Sequence, residues 1–92
     1  MRWTWDPAKA ASNLQKHGVS FKLAAQTLGD PLAVTYPDPC PDEERWRTIG
    51  KPAVDLPAVL FVVHTWPDDE TPGRIVSARQ ATSAESRAYE EG

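Results

Sequence analysis

Residues 5–21 read WDPAKAASNLQKHGVSF, and this stretch predicts the two helices on which the fold depends. Asp6 can accept a hydrogen bond from a free backbone N–H group at a helix start, and Pro7 suits the first helical position. Gly18 follows where a left-handed helix cap is expected. Ser20 can begin a second helix, whose apolar residues recur every three to four positions. The stretch therefore predicts an αα-hairpin that must pack on the rest of the chain.

Length and composition limit the kind of protein to which this hairpin belongs. The 92 residues predict one domain over residues 1–92, and the one cysteine can form neither an internal disulfide nor a paired-cysteine zinc site. The chain opens without a signal peptide, and its longest apolar run, residues 58–63, is too short to cross a bilayer. These features predict a soluble, cytoplasmic protein without a membrane partner.

The charge is distributed unevenly along the chain. The formal net charge is −3, so the chain as a whole does not attract nucleic acid strongly. Residues 1–36 carry four basic and two acidic side chains, whereas the remainder carries six basic and eleven acidic ones. Most of the acids fall in predicted loops and at the C-terminal end. A local basic surface is therefore compatible with the acidic total.

Five segments predict β-strands, at residues 2–5, 32–36, 44–49, 58–65 and 74–80. The fourth, AVLFVVHT, is apolar on both faces and so predicts the central strand. Thr82 and Glu85 form a capping box that predicts a last helix. Because the connections between successive strands are short, the order β-α-α-β-β-β-β-α predicts an α+β fold with an antiparallel sheet on which the helices pack.

Alternation and helical spacing assign side chains to faces. Three strand faces are expected to comprise Arg45, Arg47 and Ile49; Leu60, Val62 and His64; and Ile75, Ser77 and Arg79. The first helix is expected to place a polar stripe opposite an apolar side, the stripe being Lys9, Asn13 and Lys16 and the apolar side Ala10, Ala11 and Leu14.

Most familiar enzyme fingerprints are missing from the sequence. It contains no glycine-rich phosphate loop, no nucleophile elbow, no H-E-x-x-H motif and no paired cysteines, which disfavours a metallohydrolase. The remaining candidates are cations and imidazoles on predicted helices and strands: Lys9, Lys16, His17, Arg45, Arg47, His64 and Arg79.

Each candidate also has a structural interpretation. The lysines can form a solvated helix face, and Lys16 and His17 in the last turn favour the helix dipole. Arg45 can simply pair with one of the many acids, as can Arg47, and His64 is as much a hydrogen-bonded core histidine as a proton-transfer group. Arg79 is harder to explain structurally, because it is a long cation in a strand of otherwise small and apolar residues.

Several segments, in chain order, resemble the BrnT toxins of bacterial type II toxin–antitoxin pairs: WDPAKAASNLQKHGVSF, GDPLAVTYPDP, EERWRTIG, VVHT and RIVSARQATSAESRAYEE. The resemblance covers nearly the whole chain. It implies a RelE-like fold and an endoribonuclease that cuts RNA and blocks translation. It also implies neutralisation by a BrnA-type ribbon-helix-helix antitoxin, in a dimer or a 2:2 complex. The sequence departs from the family pattern at Lys22, where an acidic residue is common.

Such a fold suggests a cleavage mechanism that needs no metal or other cofactor. A ribose 2′-OH attacks the adjacent phosphate, and arginine suits the developing charge because its planar guanidinium grips phosphate oxygens in pairs. We therefore place Arg45 and Arg79 on the phosphate. The candidates for proton transfer or positioning are Lys16, His17 and His64. The candidates for substrate binding are Lys9, Arg47 and Tyr89, of which Tyr89 either stacks on a base or packs its helix.

The acidic total favours RNA presented by the ribosome over free RNA. The alternative function is a catalytically inactive module that binds its antitoxin and acts in the autoregulation of its own operon. A small structural domain is a third interpretation, but it leaves the three arginines of the predicted strands unexplained.

Overall fold

The computed structural model describes residues 3–92, so the predicted strand residue Arg2 lies outside the described part. The elements are β1 (Trp3–Thr4), α1 (Pro7–His17), α2 (Phe21–Thr27), β2 (Val34–Asp38), β3 (Arg45–Gly50), β4 (Leu60–His64), β5 (Gly73–Gln80) and α3 (Ser83–Glu91). The predicted element order is confirmed. Strand β2 runs further than expected, through Pro37, because an edge strand tolerates a residue without an N–H group.

The helix ends form as their sequences predict. The Asp6 carboxylate accepts a hydrogen bond from the Ala8 N–H group (2.8 Å), and Gly18 ends α1 with φ +72°. The Ser20 hydroxyl oxygen accepts from an N–H group of α2, and the capping box at Thr82 is complete. Within residues 3–92, no helix combines the length and the apolar composition that crossing a bilayer requires.

The five strands form one sheet in the order β1-β5-β4-β3-β2, with β4 in the middle as predicted. Strands β2 to β5 pair antiparallel, but β1 runs parallel to β5, with Trp3 opposite Gly73. The prediction of a wholly antiparallel sheet is therefore wrong at this edge. Short hairpins impose antiparallel pairing only between successive strands, and nearly the whole chain lies between β1 and β5.

Glycine at position 73 allows this parallel pair to form. A Cβ atom built on Gly73 would lie 2.3 Å from the Trp3 indole, closer than any van der Waals contact permits. The indole therefore lies directly against the backbone of β5. We expect any larger residue at this position to push β1 away from the sheet.

Helices α1 and α2 pack on one face of the sheet and enclose the core there. The buried apolar residues are Val19, Phe21, Ala24, Leu60, Val62, Ile75 and Ala78. On α1 the predicted apolar side is wrong in part, because Ala10 packs against the core but Leu14 is 50% exposed and Asn13 is buried. Strand β1 covers only the first two residues of β5, and further along this edge the Asn13 side chain takes the place of a strand partner.

Three hydrogen bonds fix Asn13 in that position. Its amide nitrogen donates to the carbonyl oxygens of Ala78 (2.8 Å) and Val19 (3.0 Å), and its oxygen accepts from the Ala78 N–H group (3.2 Å). The side chain thus satisfies both backbone groups of one β5 residue. A buried polar residue, rather than Leu14, determines which side of α1 faces the sheet.

A β-bulge in β5 changes which side chains share a face. Val63 lies opposite Ser77, whereas His64 lies opposite Ile75, so Val76 is an extra residue in β5. Ile75 faces the α1–α2 core, while Ser77 points to the opposite face. The bulge therefore makes one prediction wrong, that of a single face for Ile75, Ser77 and Arg79.

Helix α3 lies on the face opposite α1 and α2. It packs against β3, where Ile49 is buried outside the main core cluster, and Arg79 of β5 bonds to Glu85 of α3. The sheet thus carries two helices on one face and one helix across an end of the other. The remainder of that second face is half exposed.

Candidate functional site

Four arginines share the half-exposed sheet face, and we call this surface the arginine face: Arg45, Arg47, Arg74 and Arg79. The register places Arg47 opposite Val63 and Arg79 opposite Phe61. Successive side chains on one face of a strand lie about 7 Å apart, so the four cations spread over three rows of the sheet. Three of these arginines, Arg45, Arg47 and Arg79, were predicted site residues, and the structure places all three on this face.

Arg79 is the most firmly held of the four. Its guanidinium carbon lies 4.1 Å from the centre of the Phe61 ring, and its two terminal nitrogens donate to the two carboxylate oxygens of Glu85 at 2.8 and 3.0 Å. Glu85 also accepts from the Thr82 N–H group in the capping box. The hydrogen bond to Glu85 raises the pKa of Arg79, and the same bond lowers the pKa of Glu85. The ion pair therefore joins β5 to the start of α3.

Arg45 and Arg74 meet at a shared carboxylate. The Arg45 Nε–H group donates to Glu43 Oε1 at 2.7 Å, and a terminal nitrogen of Arg74 donates to the same oxygen. The hydrogen bond from Arg45, together with the nearby charge of Arg74, lowers the pKa of Glu43 although partial burial opposes this. Both arginine side chains stay partly exposed.

Arg47 occupies the middle of the arginine face. Its Nε–H group donates to Asp38 Oδ1 at 2.8 Å, and 38% of the side chain is exposed. Together the four guanidinium groups face three carboxylates, those of Asp38, Glu43 and Glu85. The arginine face therefore has one positive charge in excess on a chain whose formal net charge is −3.

His64 lies on the other side of the sheet and is fully buried. Its Nδ1 atom is 2.9 Å from the Thr65 carbonyl oxygen, which can only accept, so Nδ1 carries the proton. Its Nε2 atom then accepts from the Thr48 hydroxyl at 2.6 Å, and that hydroxyl oxygen accepts from Thr35. Burial lowers the pKa of His64, although the bond to Thr65 opposes this. Of its two interpretations, this geometry supports the hydrogen-bonded core histidine.

The predicted site residues of α1 are also separated from the arginines. Lys9, Lys16 and His17 are exposed on α1, which packs on the covered face and whose Asn13 bonds to the open edge of β5, so these three residues are not on the arginine face. The eight predicted site residues thus divide between two faces of the sheet. The structure does not bring the α1 residues and the arginines to one site.

Tyr89 connects α3 to the loop that follows α2. Its hydroxyl donates to Asp30 Oδ2 at 2.7 Å, and Asp30 also accepts from the N–H groups of Leu32 and Lys51. The bond to Asp30 raises the pKa of Tyr89 to about 12. Burial would raise the pKa of Asp30, but these hydrogen bonds lower it. Tyr89 therefore packs its helix, the second of the two interpretations that the sequence allows.

Arg74 and Glu43 belong to the arginine face but were missed in the sequence. Regular alternation puts Arg74 and Arg79 on opposite faces of β5, and only the bulge at Val76 brings them to the same face. Glu43 precedes β3 in a loop that has no periodic signal. Glu85 was recognised as a helix cap, and the sequence has no signal for its second bond to Arg79.

Two other features of the described chain bear on ligand binding. An open pocket of about 380 Å³ lies near Thr35, Glu44, Trp46 and Trp66, on the face away from the arginines. Across residues 3–92, no three His, Cys, Asp or Glu side chains are grouped as metal ligands would be. Four partly exposed arginine side chains make the arginine face the candidate site.

Comparison with known proteins assigns this chain to a family. A family model described as "Ribonuclease toxin, BrnT, of type II toxin-antitoxin system" matches residues 5–85. A sequence search of curated proteins returns no match. The matched range contains α1, α2 and all four residues of the arginine face.

Proposed function

The chain belongs to the BrnT family of ribonuclease toxins from type II toxin–antitoxin systems, and we propose that it cuts RNA on the arginine face and thereby arrests translation. The observation that carries this proposal is that Arg45, Arg47 and Arg79 all lie on one half-exposed surface. Guanidinium groups bind phosphate oxygens in pairs and keep their charge at every physiological pH. This surface therefore suits a polyanionic backbone.

The proposed reaction needs no metal ion. The ribose 2′-oxygen forms a bond to the adjacent phosphorus, the bond from phosphorus to the 5′-oxygen breaks, and a 2′,3′-cyclic phosphate remains. The 2′-OH proton goes to a base, and the leaving 5′-oxygen receives a proton. Because Arg45 and Arg79 lie two rows apart, we now place only Arg79 on the reacting phosphate, where it stabilises the charge that builds up on the phosphorane oxygens. Arg45 and Arg47 bind neighbouring phosphates of the RNA backbone. The rigid support of Arg79 by Phe61 and Glu85 favours such a role.

The proton-transfer groups are assigned by location. Lys16 and His17 belong to α1 and His64 is buried beneath the covered face, so the proposal gives them no contact with this phosphate within one chain. Glu85 is the ionised carboxylate of the arginine face that we assign as the base, and its lowered pKa keeps it ionised at neutral pH. As a weak base it matches a slow, ribosome-assisted cleavage better than fast hydrolysis of free RNA.

The remaining proposals follow from family membership. We propose a RelE-like fold over a single domain of residues 1–92 and a BrnA-type ribbon-helix-helix antitoxin as the partner, in a dimer or a 2:2 complex. The formal net charge of −3 supports RNA presented by the ribosome, since free RNA would be repelled at long range. Ribosomes are cytoplasmic, and the proposed location of the toxin is therefore the cytoplasm.

One observation favours the alternative function, a catalytically inactive module that binds the antitoxin and acts in autoregulation. Every arginine of the arginine face already bonds to a carboxylate of the same chain. If those ion pairs persist in the presence of RNA, the surface is a structural network rather than a binding site.

Induced expression in bacteria tests the two functions against each other. We expect the wild-type chain to arrest growth and fragment RNA, and we expect Arg45→Ala and Arg79→Ala to lose both effects at equal protein levels. Lys22→Ala is the matched control, because it removes an exposed cation from α2 on the opposite face. Undiminished arrest in both arginine variants would contradict the site, and a harmless wild type would favour the inactive module.

A second experiment tests the chemistry. Purified protein should cut ribosome-bound RNA and leave 2′,3′-cyclic phosphate and 5′-hydroxyl ends, which follow from attack by the 2′-OH. Products with 3′-hydroxyl and 5′-phosphate ends, which attack by a metal-activated water leaves, would contradict the metal-independent reaction.

A further inference from the structure

Glu43 stands out among the three carboxylates of the arginine face because one of its oxygens joins two cations. Oε1 accepts from Arg45 of β3 and from Arg74 of β5. Strand β4 lies between these two strands, so the two backbones are about 10 Å apart and the side chains converge above β4. One anionic oxygen between two guanidinium groups is the arrangement by which arginines bind a phosphate oxygen.

The surroundings of Glu43 differ from those of Glu85. Glu85 is anchored by the Thr82 N–H group at the start of α3 as well as by Arg79. Glu43 lies in the loop before β3, its side chain is 32% exposed, and the partners seen for its carboxylate within residues 3–92 are the two arginines. The loop can therefore move this carboxylate away without disturbing a helix or the sheet.

We propose that Arg45 and Arg74 together bind one phosphate group of the RNA, and that the Glu43 carboxylate occupies its position in the free protein. The proposal rests on the proposed ribonuclease function and extends it, because it adds Arg74 to the binding residues and names Glu43 as the group that RNA displaces. Binding exchanges one anionic oxygen for another between the same nitrogens. When RNA binds, the Glu43 loop is therefore released from the sheet.

Removal of the Glu43 charge should accordingly strengthen RNA binding. Glu43→Gln keeps the size of the side chain but lowers the competition for the two guanidinium groups. The gain is expected to be roughly five-fold in affinity, the range of a partly exposed ion pair. Arg74→Gln should weaken binding and lower the slope of log affinity against log salt by about one, because one phosphate contact is lost.

Fluorescence anisotropy with a 2′-O-methyl RNA oligonucleotide measures these affinities without cleavage, with the protein titrated to high concentration because its net charge weakens the binding of free RNA. The proteins compared are wild type, Glu43→Gln, Arg74→Gln and the control Glu44→Gln. Glu44 is the neighbouring residue, it is exposed and lies by the Trp46 pocket, and its substitution changes the net charge by the same amount. We expect the control to alter affinity by less than about two-fold, as a charge outside the contact does.

Three outcomes would overturn the proposal. Equal gains in affinity for Glu43→Gln and Glu44→Gln would mean that only net charge matters. Unchanged binding by Arg74→Gln would show that Arg74 does not contact a phosphate. No gain for Glu43→Gln would show that RNA does not displace this carboxylate. A gain in affinity cannot come from misfolding, so the Glu43 arm stands even if Arg74→Gln is unstable. Because the oligonucleotide cannot be cleaved, a failure of the ribonuclease function appears only in the cleavage and growth experiments.

Discussion

The two faces of the sheet contain polar side chains of very different kinds. On the face covered by α1 and α2, Asn13 and His64 are buried and neutral, and each bonds to partners fixed in the backbone or in a neighbouring strand. On the arginine face the polar groups are charged and partly exposed, and their partners come from a loop, an edge strand and α3. The sheet therefore has buried, neutral hydrogen-bonding residues on one face and partly exposed ion pairs on the other.

The energetic difference between the faces follows from burial. A buried group that loses its hydrogen-bond partner retains the full cost of its lost hydration, about 1–3 kcal/mol for each group. An exposed ion pair contributes about 0–1 kcal/mol to folding because water screens both charges. We infer that the covered face contributes most to stability, whereas the ion pairs of the arginine face contribute little. The following predictions test this division.

The largest effect is expected for Asn13→Ala. The variant removes three hydrogen bonds and leaves two buried groups of Ala78 without partners, so the free energy of unfolding should fall by about 4 kcal/mol. Urea denaturation followed by circular dichroism measures the loss, and Ser12→Ala on the exposed side of α1 is the control. A loss below about 1 kcal/mol would mean that Asn13 does not hold the edge of β5.

The second effect concerns His64. His64→Ala opens a cavity and leaves the buried Thr48 hydroxyl without its acceptor, so the free energy of unfolding should fall by about 3 kcal/mol. The exposed His17→Ala should change stability by less than about 0.5 kcal/mol. Equal losses in the two variants would contradict the division between the faces.

His64 also predicts a pH dependence of the wild type. Its pKa is lowered in the folded state by burial, so the unfolded chain binds the proton more readily than the folded one does. Stability is therefore complete above the unfolded pKa of about 6.5 and is lost as the pH falls below it. Denaturation midpoints at pH 7.5 and pH 5.5 should differ in the wild type and differ less in His64→Ala. A wild-type midpoint that is constant over this range would contradict the buried neutral imidazole.

Tyr89→Phe should have an intermediate effect, because this residue joins α3 to the loop after α2. The loss of the hydrogen bond to Asp30 should lower the free energy of unfolding by about 1–2 kcal/mol. The pKa of Tyr89 is raised to about 12, so its contribution is complete below pH 10 and disappears as the pH rises through about 12. Wild type and variant should therefore become equally stable at the alkaline end of a denaturation series. A persistent difference there would assign the effect to packing.

The smallest effect on stability is expected for Arg47→Gln. This residue forms one ion pair in which 38% of its side chain is exposed, so the free energy of unfolding should change by less than about 0.5 kcal/mol. Growth arrest should nevertheless decrease, since the cation in the middle of the arginine face is lost. A variant that is both destabilised by more than about 1 kcal/mol and inactive would show that the two faces are not distinct in function.

Local sequence patterns predicted the elements of the fold well. Asp6, Ser20 and Thr82 mark the three helix starts, and the alternation of Arg45 and Arg47 places them on one face of β3. These signals depend only on residues close together in the sequence, and hydrogen bonds between such residues are enough to form the predicted elements. The same holds for the central position of β4, whose residues are apolar on both faces.

The errors all arise from contacts between distant parts of the chain. The inward orientation of Asn13 depends on backbone groups of Ala78, 65 residues away, and the pairing of β1 depends on Gly73. A single bulge residue, Val76, moves Arg74 onto the arginine face. Periodicity cannot reveal any of these, because each depends on which edge or partner the rest of the fold leaves free. The sequence therefore predicted three of the four arginines of this face and missed Arg74.

The parallel pair of β1 and β5 has a consequence for the time at which the protein can become active. Trp3 and Gly73 are 70 positions apart, so β1 has no partner until 70 further residues have been synthesised. At about 5–20 residues per second, the segment around Trp3 waits for several seconds. The arginine face is complete only after β5 and α3 have also emerged. Under the proposed function, the RNA site is therefore expected to form only after residues 3–91 have left the ribosome.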